Sequence, residues 1–138
     1  MVTPTNYGNN PFQPGMSQDV FVPDQLIAGD LKVVTKTGTI AAGAGVLKRG
    51  TVLGQISSDG TYKTALLASS DGSQTPVVIL ADDVDASGAA VLAGLYQMGE
   101  FNGNAVILGT GITLAAATTA LELKNIYLKT SVSAADPT

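Results

Sequence analysis

The sequence predicts a mainly β domain with one short α-helix, folded as a small compact β-sandwich or barrel-like body behind an extended N-terminal arm. Three observations carry this. Short apolar runs recur between turn-rich stretches all along the chain. Sixteen glycines and six prolines in 138 residues imply many turns and few long helices. Only one stretch, near residues 114 to 124, has apolar residues at helical spacing. The length suits one domain with a real core and is too short for two. Its expected divisions are an arm over 1–20, a β-rich domain over 21–130 and a loose C-terminal tail over 131–138.

In the arm, Gly, Asn, Pro, Gln and Ser dominate, and Met16 and Val20 are too isolated to bury. Such a segment cannot offset its ordering entropy alone. A terminus of this composition is ordinarily unstructured. As a functional element it would order on a partner, adding a strand to an exposed sheet edge with Tyr7 and Phe12 as anchors. The compact part begins at Phe21-Val22-Pro23, extended because the residue before proline is pushed to β space. Gln25 to Ala28 is a short apolar patch, and Leu31 to Thr37 reads as a strand.

Gly38 to Gly45 reads as an ordinary loop. Gly45 and Gly50 have phosphate-loop spacing, but Thr51 stands where the lysine is required. A strand from Arg49 to Ser57 meets a turn at Ser58-Asp59-Gly60, and Thr61-Tyr62-Lys63 pairs back. Val77 to Ala81 is too short for a helix and too apolar for a surface strand, so it is expected buried on both faces. An acidic turn, Asp82 to Gly88, returns the chain as a second strand, Ala89 to Gln97. Val91, Ala93 and Leu95 face one way, Leu92 and Tyr96 the other. Met98-Gly99 suggests a bulge or sharp bend. Asn104 to Leu108 reads as another short strand. Thr113 can cap a helix over Leu114 to Lys124, with Leu114, Ala117, Thr118 and Leu121 on one packing face and Asn125 as its stop. Ile126 to Leu128 is the last strand.

Composition narrows the function. The chain has no histidine and no cysteine, so the commonest general base, the commonest metal ligand and any disulfide framework are absent. Eleven acids against seven bases, with no basic cluster beyond Lys48-Arg49, argue against phosphate-backbone binding to nucleic acid. Residues 1 to 20 lack the basic start and apolar run of a signal peptide. The uncharged stretch Phe101 to Leu121 is interrupted by Gly109-Thr110-Gly111 and does not read as a membrane span. Asp83, Asp85, Ser87 and Gly88 fit the start of a calcium loop, yet Gly94 stands where its last carboxylate belongs. Turn chemistry explains these acids better. Gly109-x-Gly111 lacks the third glycine of a dinucleotide fingerprint, which is replaced by Leu114. No nucleophile sits with a base, so no enzyme and no cofactor are expected. Acid/base work by Asp82, Asp83 and Asp85 is the weakest hypothesis.

The chain resembles the lambda-type bacteriophage head decoration proteins, a capsid-stabilising family. The residues that carry the resemblance are spread over about 21 to 130. They are Phe21-Val22-Pro23-Asp24-Gln25-Leu26-Ile27-Ala28-Gly29-Asp30, Arg49-Gly50-Thr51-Val52-Leu53-Gly54, Asp71-Gly72-Ser73-Gln74-Thr75, Leu80-Ala81-Asp82-Asp83-Val84-Asp85, Gly99-Glu100-Phe101-Asn102 and Asn125-Ile126-Tyr127-Leu128-Lys129. The resemblance implies a β-rich decoration domain that binds the outside of the expanded head as homotrimers at local threefold sites, with the major capsid protein as partner. It implies a structural virion protein with no catalytic residue and no cofactor, made in the host cytoplasm and resident on the capsid surface. It also implies an N-terminal arm that reaches onto the capsid surface and orders there; this chain's arm matches no family motif, and Tyr7, Phe12, Phe21, Val22 and Pro23 are its own candidate contacts. The alternative is another assembling β module, either a tail or fibre adaptor or a surface glycan-binding domain. The scarcity of aromatics, four Tyr, three Phe and no Trp, counts against sugar stacking.

Overall fold

The structure, a computed structural model, describes residues 26–130. The arm, with Tyr7, Phe12, Phe21, Val22 and Pro23, and the tail over 131–138 lie outside the described residues. Eight strands and one helix follow in order: β1 Val34–Ile40, β2 Gly45–Leu47, β3 Val52–Gln55, β4 Tyr62–Thr64, β5 Pro76–Leu80, β6 Val84–Ala86, β7 Val91–Asn102, α1 Leu114–Glu122 and β8 Ile126–Lys129. The protein is mainly β with one helix, and five strands close a barrel in the order β1-β4-β3-β5-β7 and back to β1. The closing seam pairs β1 antiparallel with β7 over its whole length, from Val34↔Met98 to Ile40↔Val91. Closure removes the unpaired edges that an open sheet of these strands would carry.

Strand alternation builds two cores on the two sides of the barrel wall. Leu53, Val78, Leu80, Ala93 and Leu95 point into the barrel and pack with Ile40, Leu47, Tyr62 and Ala86. Their sequence neighbours Val52, Ile79 and Tyr96 point outward and pack with Leu26, Phe101, Leu121 and Ile126. The helix and β8 thus cover the outer wall, and β5 is buried on both faces as its apolar run predicts. Each fully buried Leu, Ile or Phe contributes about 1.5–3 kcal/mol relative to exposure.

The helix follows its signals closely. The Thr113 hydroxyl accepts from the Ala116 amide at 3.2 Å, and Ala117 and Leu121 form the buried stripe. Leu114 and Thr118, expected on that face, are half-buried. The last turn ends at Glu122 rather than Lys124, and Asn125 stops the chain in the left-handed region at φ 63°. β7 does not end at Met98. Gly99, at φ 152°, marks the place where the strand leaves its partners β1 and β5 and continues to Asn102 beside β8, in parallel register from Gly99↔Ile126.

Four expectations need correction. The first strand starts at Val34, not Leu31, because residues 26 to 31 bend around the Glu100 side chain. Gly38 to Gly45 is not one loop, since Gly38 to Ile40 belong to the closing seam and Gly45 opens β2. The acidic turn contains β6, which pairs with β2 through Gly45↔Ala86, Val46↔Asp85 and Leu47↔Val84. Asn104 to Leu108 forms no strand. β3 already pairs with β4 on one side and β5 on the other, so Ile107 makes a single parallel bridge with Thr51 at its start.

Candidate interaction surfaces

The N-terminal end of the described residues is docked, and the way it docks follows from Glu100. Ile27 bridges Phe101 antiparallel, the Ala28 amide donates to the Glu100 carbonyl at 3.0 Å, and the Asn102 amide donates to the Leu26 carbonyl at 2.7 Å. Residues 26–28 therefore flank β7 on the side opposite β8. The Glu100 carboxylate then gathers the turn that follows. It accepts from the Leu31 amide at 3.0 Å and from the Lys129 ammonium at 2.7 Å. The Lys129 ammonium, followed by the Leu31 amide, lowers the Glu100 carboxyl below its usual value. A Cβ at Gly29 would stand 1.9 Å from the Glu100 carboxylate, so a larger residue there would push that side chain out of its place. The sequence reading assigned Glu100 no role. The only sequence signal is a lone charge set between Gly99 and the aromatic Phe101.

The acids of the 82–85 turn are exposed and face separate partners. The Asp82 carboxylate accepts from the Gly94 amide at 3.3 Å, and Asp83 accepts from the Arg49 amide at 2.7 Å. Asp85 accepts from the amide and hydroxyl of Ser87, and that hydroxyl is the main cause of its lowered pKa. Each carboxylate pins a turn, and among the described residues no group of three potential ligands converges on a metal position. Arg49 locks the same region from the other side: its guanidinium donates to the Ala81 carbonyl at 2.9 Å and to the Tyr96 hydroxyl, and lies over the Tyr96 ring. Asp71 has a similar structural task. The Lys63 ammonium at 2.7 Å, then the Ser73 hydroxyl and amide, hold its carboxyl well below the usual range.

The remaining surface has two notable features. One is a cavity of about 320 Å³ at one end of the barrel, lined by Lys36, Gln55, Tyr62, Gln97 and the helix terminus Leu123 to Asn125, among others. The other is a scatter of exposed apolar side chains, of which Leu123, Leu92 and Leu67 are the most exposed. Of the four described aromatics, Tyr62, Tyr96 and Phe101 are buried and only Tyr127 is exposed, so the described surface offers no platform of aromatic rings for a sugar. Among the described residues, no helix is long and apolar enough to cross a membrane.

No curated protein matches the chain. The model of one family, the bacteriophage lambda head decoration protein D, matches residues 16–125 of the 138. That span includes the docked segment 26–31, the whole barrel and the helix. The chain belongs to the bacteriophage lambda head decoration protein D family, a family of structural head proteins rather than enzymes.

Proposed function

We propose that this protein binds the outside of the expanded phage head as a homotrimer at local threefold sites, contacts the major capsid protein through its arm, and stabilises the shell against internal DNA pressure. The observation that carries this reading is the family match over residues 16–125. In this reading the functional division is an arm over 1–20, a decoration domain over 21–130 and a tail over 131–138. The protein works on the head surface, after release into the host cytoplasm, and uses neither cofactor nor nucleic acid.

The physical logic needs only binding. A ligand that binds the intact lattice but not the disassembled subunits stabilises the lattice by linkage. Symmetric repetition turns a modest affinity per site into a large collective effect. A trimer adds a second level, because three arms on one body raise the effective concentration of each. The arm has the composition to order on a partner, with Tyr7 and Phe12 as anchors and Phe21-Val22-Pro23 as the extended approach. Residues 26–31, which follow the arm in sequence, are held to β7 and Glu100 by hydrogen bonds, so a force on the arm would be passed to the barrel.

The test is co-sedimentation with expanded, undecorated heads, using the full chain and a version lacking residues 1–20. The expected result is saturable binding at three copies per local threefold site, weakened at least tenfold by the deletion. Saturable binding unaffected by the deletion keeps the decoration role and removes the arm from it. No saturable binding of the full chain contradicts the decoration role itself.

A further inference from the structure

We propose that the open mouth of the barrel is a receptor site for an acidic peptide segment of a partner protein, with Lys36 and Lys124 pairing its carboxylates and Leu123 receiving an adjacent apolar side chain. The site is a product of the barrel. Each of the five barrel strands contributes to its lining: β1 through Lys36, β3 through Gln55, β4 through Tyr62, β5 through Val77 and Val78, and β7 through Gln97. The end of α1 supplies the rim with Leu123, Lys124 and Asn125.

Charge selects the ligand. The chain carries a net charge of −4, yet among the described residues no carboxylate lines this mouth. Of its seven cationic side chains, Lys48, Lys63 and Lys129 pair with Asp83, Asp71 and Glu100, and Arg49 is held against the Ala81 carbonyl and Tyr96. Two of the other three, Lys36 and Lys124, meet at this one cavity, and neither has a carboxylate in ion-pair range among the described residues. A small cationic recess in an acidic surface attracts carboxylates selectively, since the rest of the surface repels them.

Preorganisation strengthens the case. The Lys36 ammonium donates to the Tyr62 hydroxyl at 3.0 Å and lies 5.3 Å from the centre of its ring, so the long side chain is already held in place. The Tyr62 hydroxyl spends an acceptor position on Lys36 and keeps its own hydrogen for a second acceptor. A carboxylate entering the mouth would thus meet an ammonium and a hydroxyl donor side by side. Leu123, 81% exposed at the rim, offers an apolar contact just outside. This pairing of a fixed charge with an exposed apolar neighbour recognises a short acidic, leucine-like sequence better than a free inorganic anion.

The experiment is an amide-resolved NMR titration of the full chain with two probes, acetyl-Leu-Glu-Glu-Leu-amide and its neutral counterpart acetyl-Leu-Gln-Gln-Leu-amide. The expected result is saturable shifts at Lys36, Gln55, Tyr62, Gln97, Lys124 and Asn125 with the acidic probe, at least tenfold weaker binding of the neutral one, and a tenfold loss in the double variant Lys36→Gln/Lys124→Gln. Unchanged amide spectra elsewhere in that variant show that the barrel is intact. Equal binding of the two probes, shifts spread over Lys32 and Lys63 as well, or undiminished binding by the folded double variant would each overturn the assignment.

Discussion

At one end of the barrel, where Ile40 and Val91 face each other across the closing seam, the two-stranded β2–β6 sheet packs Leu47 and Ala86 into the interior cluster. At the other end, Lys36, Gln55, Tyr62 and Gln97 ring a cavity that the described residues leave open. The same five strands make both ends, so the difference comes from what each end's side chains allow. The capped end is apolar and needs a plug, which two short strands supply with alternating residues. Leu47 and Ala86 turn inward, and their neighbours Val46 and Asp85 turn to solvent. The open end carries its own polar lining and gains nothing from a plug. One end is therefore finished for stability, and the described residues leave the other open.

Perturbing the interior near the capped end should have the largest effect. Leu80 is fully buried in the interior cluster with Leu47 and Ala86. Leu80→Ala should lower unfolding stability by about 2–5 kcal/mol in a urea titration, with an unchanged slope. Thr113→Ala, at the start of the helix whose far end forms the mouth's rim, should cost about 1 kcal/mol by the same measurement, through the lost cap to the Ala116 amide. Lys36→Gln at the open end should cost at most about 1 kcal/mol, because it removes one hydrogen bond, to the Tyr62 hydroxyl, and no ion pair among the described residues. A loss of several kcal/mol in Lys36→Gln would mean that the two ends are alike in kind.

Acid sharpens the contrast at the arm's root. Glu100 is held below its usual value of 4.5 by Lys129 and the Leu31 amide. A depressed carboxyl contributes stability above its unfolded value, and that contribution is lost as the pH falls through the lower folded value. Glu100→Gln should therefore melt below the parent protein at pH 7. The gap should narrow as the pH falls below 4.5 and shrink in high salt, since Lys129 is half exposed. A gap independent of pH would show that the ion pair contributes nothing.

The parts of this fold legible in the sequence are those whose partners lie close along the chain. Thr113, the Ala117 and Leu121 stripe and Asn125 bracket the helix with local signals, and the turn at Asp59-Gly60 joins β3 to β4. The apolar run of β5 forecast its two-sided burial. The closing seam between β1 and β7, and the β2–β6 pair, were hidden because their partners stand far apart in sequence. β6 was further masked because its alternation, Val84 in, Asp85 out, Ala86 in, sits inside a string of turn-forming residues. The barrel mouth could not be read at all. Its lining comes from positions 36, 55, 62, 77, 97 and 123, which meet only once the barrel closes.

The most direct measurement is DNA retention by filled heads of the cognate phage, stripped of their decoration protein and heated with or without saturating amounts of this chain. The account predicts that the full chain raises the temperature of DNA release and that the chain lacking residues 1–20 raises it much less. Saturating binding of the full chain with no shift in the release temperature would contradict a stabilising role.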